Sequence, residues 1–270
     1  MSQPAPAAAL ALDDLLTQPR PALGVFVPAG LHGLSAQRRI LDALADHGAD
    51  LLEIGIPHAA PALDGPVITA AYRQALRRGT TMADVTQVVE HAALRAPVVV
   101  MSYWSTVQQH GPEALAAACA AAGASGIMVV DLPAEDADAW HRTAAAAGLT
   151  TPRLVPRDLP DTHLRRLAGQ ASGWLYAPAA TARTGYRGPL DTPSLAEFTR
   201  RLRAASALPV VSGVGISSPR LAAVVAPHVD AVVIGTPIVR ALTATPAQVP
   251  SLVAEFADAL HTSNAGAHHV

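Results

Sequence analysis

Eight short apolar runs, separated by segments with helical spacing, are the feature that most constrains the fold of this chain. Most of the runs are apolar at consecutive positions, as expected for parallel strands that are covered on both faces. The strands are predicted over Gly24–Ala29, Asp50–Gly55, Pro97–Tyr103, Gly126–Asp131, Thr151–Pro156, Gly173–Ala177, Leu208–Ser212 and Asp230–Gly235.

The intervening segments carry helix signals. Gly123 and Gly148 stand where helix C-caps are expected, and Ser218 is an N-cap candidate directly before Pro219. Helices are predicted over Ala36–His47, Glu113–Ala122, Glu135–Ala147 and Pro219–Val225.

Strand and helix alternate eight times without a break in composition, which predicts an α/β fold of the (β/α)8 TIM-barrel type. A doubly wound open sheet is the alternative, but the first strand is not followed by a glycine-rich dinucleotide fingerprint. We expect one domain over residues 1–270, with flexible tails at 1–14 and 263–270.

Composition excludes several classes of function. The net charge of −2 and the pI of about 6.6 give no reason to expect nucleic acid or an acidic membrane as a partner. No run is long enough for a membrane span, and no basic residue precedes the first short apolar stretch as in a secretory signal. The single Cys119 fits a reducing compartment, so we expect a cytoplasmic protein.

The absence of lysine narrows the chemistry further. All 19 basic residues are arginine. Schiff-base aldolase chemistry and covalently bound pyridoxal phosphate both require a lysine amine, so both are excluded. The eleven histidines have no metal-ligand spacing, which argues against a metal site.

Two carboxylates mark a candidate catalytic site. Glu53 closes the second predicted strand, where apolar neighbours are expected to raise its pKa towards neutrality. Asp64 lies in the following loop, in a more polar setting, and is expected to stay ionised. Different surroundings allow two carboxylates to act as acid and base at one pH. The alternative is a solvated strand-end glutamate with an unrelated turn aspartate.

Glycine turns after strands seven and eight indicate a phosphate site. Gly215 and Gly235 lie in turns that lead into helix N-termini, where free N–H groups favour a phosphate, and Thr236 follows at once. Barrels commonly bind phosphate at this position. A third turn at Gly185 follows strand six. Alternatively, these glycines only make tight turns.

Four apolar residues at strand ends are candidates to form a slot for a flat ring, although core packing explains such residues as well. They are Phe26, Met101, Met128 and Val214. Tyr176 ends strand six and is a candidate to line the site, with core packing as the alternative. His58 is the only histidine near the proposed site.

These motifs together resemble the tryptophan synthase alpha chain family, the indole-3-glycerol-phosphate lyases. The family loop reads Glu-hydrophobic-Gly-hydrophobic-Pro-Phe-Ser-Asp-Pro-hydrophobic-Ala-Asp-Gly-Pro. Residues 53–66 read E-I-G-I-P-H-A-A-P-A-L-D-G-P. The resemblance runs in order from Ala22 to Val239 and includes Met101-Ser102-Tyr103, Asp131-Leu132-Pro133, Thr184-Gly185, Gly213-Val214-Gly215-Ile216-Ser217 and Gly235-Thr236.

The resemblance implies a retro-aldol cleavage of indole-3-glycerol phosphate to indole and glyceraldehyde 3-phosphate, with no cofactor and no metal. It implies that Glu53 is the general acid/base and that Asp64 holds the indole N–H. The phosphate would bind at Gly185, Gly215, Gly235 and Thr236. The indole would lie against Phe26, Met101, Met128 and Tyr176.

The departures from the family pattern are concentrated in the loops that face the beta chain in that family. His58 replaces a phenylalanine, Ala59-Ala60 replace Ser-Asp, and Tyr103-Trp104-Ser105 stands where the family has Tyr-x-Asn after strand three. These changes argue against tight pairing with a beta chain and favour a stand-alone lyase. Two alternatives remain open: a catalytically weak alpha-like subunit that regulates a partner, and a barrel enzyme for a related phosphorylated substrate.

Overall fold

A parallel eight-stranded sheet, curled into a nearly closed barrel, forms the centre of the computed structural model, which describes residues 12–265. Its order is β4-β3-β2-β1-β8-β7-β6-β5, and an isolated bridge joins Gly126 of β4 to Thr150, which precedes β5. The predicted (β/α)8 barrel is confirmed. The strands are β1 (Ala22–Pro28), β2 (Leu51–Gly55), β3 (Val98–Ser102), β4 (Gly126–Val129), β5 (Arg153–Leu154), β6 (Leu175–Pro178), β7 (Val210–Gly213) and β8 (Ala231–Ile234).

Helices lie between the strands and cover the outer face of the sheet. They are α1 (Leu12–Leu16), α2 (Leu34–Asp46), α3 (Pro66–Arg77), α4 (Met82–Ala93), α5 (Trp104–His110), α6 (Pro112–Ala121), α7 (Ala137–Ala146), α8 (Asp161–Gly169), α9 (Thr192–Ala205), α10 (Pro219–Val225), α11 (Thr236–Ala244) and α12 (Val249–Ala265). Within residues 12–265, none of these helices has the length and apolar character needed to cross a membrane.

The fifth strand is much shorter than the sequence predicts. The expected run was Thr151–Pro156, whereas the observed ladder contains only Arg153–Leu154. Pro152 and Pro156 have no amide hydrogen to donate, so the ladder cannot extend over them. Between β4 and β5 a single bridge, Gly126 to Thr150, takes the place of a strand ladder.

The two predicted tails each overlap a described helix. Helix α1 covers the last residues of the tail predicted over 1–14, and its Leu12, Leu15 and Leu16 are buried against the core. At the other end α12 continues to Ala265, past the predicted start of the tail at residue 263. Residues 1–11 and 266–270 lie outside the described part of the chain.

The strand register places Glu53, one of the two candidate catalytic carboxylates, inside the mouth of the barrel. Phe26 of β1 and Val99 of β3 are the register partners of Glu53, so the three side chains share one face of the sheet. All strands are parallel, so the loops that follow them gather at one end, where barrel enzymes carry their active sites.

Candidate active site

A cleft at the carboxyl end of the barrel encloses about 600 Å³, including the solvent at its mouth. Both predicted catalytic carboxylates, Glu53 and Asp64, line it. Its strand-borne walls come from β1, β2, β3, β6 and β8, and the segments that follow β2, β6, β7 and β8 complete it.

Glu53 is the most perturbed carboxyl group of the site. Its side chain is only 1% exposed, and Oε1 has no hydrogen-bond partner among residues 12–265. Burial raises the pKa of Glu53 from 4.5 to about 8. The group therefore holds a proton near neutral pH and can release it, as the sequence predicts for a general acid/base.

Asp64 is held by two hydroxyl groups. Tyr103 donates to Oδ2 at 2.8 Å, and Thr184 donates to Oδ1 at 3.1 Å. Burial raises the pKa of Asp64 above its ordinary value, while these two hydrogen bonds oppose the rise. At 4% exposure Asp64 is more enclosed than the sequence suggests, but both donors favour its ionised form.

Thr184 joins the loop after β6 to the loop after β2. Its hydroxyl accepts a hydrogen bond from the Gly65 amide at 2.9 Å, and its own amide donates to the Leu63 carbonyl at 3.3 Å. A Cβ on Gly65 would lie 1.9 Å from the Thr184 carbonyl oxygen. Glycine at position 65 is therefore what permits the two backbones to approach.

The predicted phosphate residues all belong to the cleft wall. They are Gly185, Gly215, Gly235 and Thr236. A Cβ on Gly185 would lie 3.3 Å from the Thr236 side chain. Gly185 and Gly215 have φ angles of +86° and +96°, which L-residues with side chains rarely adopt. Helix α11 begins at Thr236, and Gly235 caps it without a side-chain hydrogen bond. The first amides of α11 are thus available to an anion.

The N-terminus of the helix after β7, α10, offers fewer free amides to a phosphate than the sequence suggests. Ser218 accepts a hydrogen bond from the Leu221 amide at 3.3 Å and so caps α10. The contribution of this loop to the cleft comes from Gly215, Ile216 and Ser217 instead.

Phe26, Met101, Tyr176 and Val214, which the sequence predicts to line the site or flank the ring, all line the cleft. Met128 does not. It is buried in β4 as the register partner of Met101, one strand further from Glu53. A role for Met128 in binding the indole stays a prediction.

The sequence interpretation missed several residues of this site. Tyr103 and Thr184 were visible only as parts of family motifs, and nothing local marked them as partners of Asp64. Arg187 and Arg240 also line the cleft, and neither guanidinium has a hydrogen bond or ion pair with another residue between positions 12 and 265. Their nearness to Gly185 and Gly235 in the sequence was the available signal.

The family model described as Tryptophan synthase alpha chain matches residues 12–267. The chain belongs to the tryptophan synthase alpha chain family. The Tryptophan synthase alpha chain of Geobacter sulfurreducens is 36% identical over 250 residues, which are 92% of this chain and 94% of the relative. That of Streptomyces avermitilis is 37% identical over 223 residues, 82% of this chain and 80% of the relative.

Solved structures of the alpha chain family show the same fold. A structure of Mycobacterium tuberculosis tryptophan synthase matches 94% of this chain and 99% of the compared chain, with a TM-score of 0.85 and 30% identity. The alpha subunit of tryptophan synthase from Legionella pneumophila matches 93% and 97%, with a TM-score of 0.82 and 28% identity. The predicted family, and the carbon–carbon lyase class that it implies, are confirmed.

Proposed function

We propose that this alpha chain cleaves indole-3-glycerol phosphate to indole and glyceraldehyde 3-phosphate, and that it does so without a beta chain. The observation that carries the proposal is the presence, in one cleft, of two carboxyl groups in different surroundings. Glu53 is buried with a raised pKa of about 8, and Asp64 accepts two hydroxyl hydrogen bonds in the same cleft.

The first chemical step is protonation of the indole ring. Glu53 is mostly protonated at pH 7, since its pKa is about 8, and it donates its proton to ring carbon C3. Positive charge then develops on the ring nitrogen. The Asp64 carboxylate accepts the N–H hydrogen bond and stabilises that charge.

The second step breaks the carbon–carbon bond. The Glu53 carboxylate takes the proton of the hydroxyl group on the side-chain carbon bonded to C3. The bond between that carbon and C3 breaks, and its electron pair returns to the ring and restores indole. The hydroxyl oxygen becomes the aldehyde oxygen of glyceraldehyde 3-phosphate, and Glu53 is protonated again.

The phosphate group fixes the substrate at the glycine turns that follow β6, β7 and β8. The amides around Gly185, Gly215 and Gly235 supply hydrogen-bond donors, and the dipole of α11 favours a dianion. Arg187 and Arg240 add positive charge from the cleft wall. Phe26, Met101 and Tyr176 supply the apolar contacts for the indole.

Contacts within the chain support activity without a partner. Thr184 joins the loops after β6 and β2 at Asp64, Gly65 and Leu63, so these loops meet without a second protein. The exposed Ala59-Ala60 replace the polar residues that face a beta chain in the family. We also propose a cytoplasmic location, which the single free Cys119 supports.

The test is to incubate the purified chain with indole-3-glycerol phosphate and to measure free indole, with and without a beta chain. We expect indole from the chain alone, and a loss of about 100-fold or more in kcat for Glu53→Gln and Asp64→Asn. The exposed Glu113→Gln is the matched control and is expected to keep full activity.

Two outcomes contradict the proposal in different ways. Indole only after addition of a beta chain would refute independent action and leave the lyase reaction intact. No indole under either condition would refute the lyase reaction itself and favour a regulatory subunit or a different phosphorylated substrate.

A further inference from the structure

His58 makes two contacts that fix its ring beside the catalytic carboxylate. Its imidazole is stacked on the Tyr103 ring, with centroids 4.7 Å apart and planes inclined by 15°. Its Nδ1 is 3.0 Å from the Thr106 hydroxyl, which is buried in α5. A half-buried loop residue is thereby tied both to the residue before α5 and to the helix itself.

Tyr103 carries this contact to Asp64. Its hydroxyl donates to Asp64 Oδ2 at 2.8 Å and accepts from the Leu63 amide at 3.2 Å. Burial, together with the nearby Asp64 charge, raises the pKa of Tyr103, so the phenol keeps the proton that it donates. The hydroxyl proton points at Asp64 only while the Tyr103 ring keeps this position.

We propose that His58 is a positioning residue that clamps the Tyr103 ring and so keeps Asp64 aligned with the indole N–H. The proposal rests on the proposed lyase function, because that function makes the indole N–H the group that Asp64 binds. His58 contacts no reacting atom in this scheme. It acts through Tyr103, and its two contacts have separate roles: the stacked face orients the phenol, and the Thr106 hydrogen bond orients the imidazole.

The electrostatic surroundings of Asp64 support this role. Burial raises the pKa of Asp64, whereas Tyr103, Thr184 and then His58 lower it. A loss of His58 therefore removes one direct favourable charge effect and loosens the Tyr103 hydrogen bond, and both changes act in the same direction.

Turnover measurements separate positioning from simple structural support. We expect His58→Ala to lower kcat about 10-fold with little change in KM, because Asp64 acts on charge that develops after binding. His58→Phe keeps the stacked face and is expected to recover most of that loss. The exposed His110→Phe, at the end of α5, is the matched control and is expected to match the wild type.

The decisive comparison uses the Tyr103→Phe background. If His58 acts mainly through the phenol, His58→Ala has a much smaller effect there, limited to its direct charge effect on Asp64, whereas a general packing defect lowers activity equally in both backgrounds. An equal loss in the two backgrounds, or a KM effect with unchanged kcat, would overturn the proposal.

A measurement that needs no turnover keeps this proposal distinct from the lyase assignment. Carbon-13 NMR titration of labelled aspartate, assigned with Asp64→Asn, follows the Asp64 carboxyl in folded protein. We expect its pKa to rise in His58→Ala, to rise less in His58→Phe, and to stay unchanged in His110→Phe. An unchanged pKa in His58→Ala would overturn the clamp even if the wild type produces indole, and the expected shifts would support it even if no indole forms.

Discussion

Replacing Glu53 by glutamine is expected to remove a pH-dependent loss of stability that the buried carboxyl imposes on the barrel. Burial raises the pKa of Glu53 from 4.5 in the unfolded chain to about 8 in the folded one. Between pH 4.5 and about pH 8 the folded protein holds the Glu53 proton, whereas the unfolded chain releases it. The free energy of unfolding therefore falls as the pH rises through this range, and it levels off above the folded pKa.

The size of the effect follows from the separation of the two pKa values. One pKa unit corresponds to about 1.4 kcal/mol, so the rise from 4.5 to about 8 gives a total loss of about 5 kcal/mol. About 3 kcal/mol of this is already lost at pH 7, and about 1 kcal/mol at pH 5. Glutamine resembles the protonated carboxyl in size and cannot ionise, so the variant escapes the loss.

Urea unfolding at pH 5, 7 and 9 measures this difference, with the fully buried Trp140 and Trp174 as fluorescent reporters. The stability of Glu53→Gln relative to the wild type is expected to increase by about 4 kcal/mol between pH 5 and pH 9. Other titrating groups cancel in this difference. The exposed Glu113→Gln is expected to show no such trend, and a flat difference for Glu53→Gln would refute the buried, proton-holding carboxyl.

Three further changes test the site and the fold. Gly65→Ala would place a Cβ 1.9 Å from the Thr184 carbonyl oxygen and is expected to lower kcat/KM for indole release about 100-fold. Gly169→Ala, whose new Cβ would have no atom within 4 Å, is expected to have no effect. Equal activities of the two variants would contradict the role of the loop contact. Arg240→Gln is expected to raise KM about 10-fold with kcat nearly unchanged in the same assay, because it removes a cation from the phosphate end of the cleft; an unchanged KM would exclude that contact. Arg153→Met is expected to raise the free energy of unfolding, measured in urea, by about 1–3 kcal/mol. The reason is that Arg153 is only 6% exposed and its Nη1 has no hydrogen-bond partner among residues 12–265. A destabilised variant would show instead that water molecules accept the hydrogen bonds of the guanidinium.

Local patterns predicted most of the architecture. Consecutive apolar residues mark buried parallel strands wherever they occur, so all eight strands were predicted near their observed positions. The same patterns failed at β5, where two prolines interrupt the ladder, and at α1, where burial of Leu12, Leu15 and Leu16 orders a segment whose composition suggested a tail. Strand length and terminal order depend on neighbours in space, which a local window does not contain.

The sequence by itself determined where Glu53 stands and why it is unusual. A carboxyl group inside an apolar strand must be buried once that strand enters a barrel, so a raised pKa was predictable. The glycine turns at positions 185, 215 and 235 were likewise visible, because strand ends of a parallel barrel meet at one end.

Only the tertiary structure decided what holds Asp64. Its donors, Tyr103 and Thr184, lie 39 and 120 residues away in the chain, and His58 stacks on the ring of Tyr103. It also separated Met101, which lines the cleft, from its neighbour Met128, which does not. Such contacts arise when loops from distant strands converge on closure of the barrel, and no periodicity along the chain specifies their geometry.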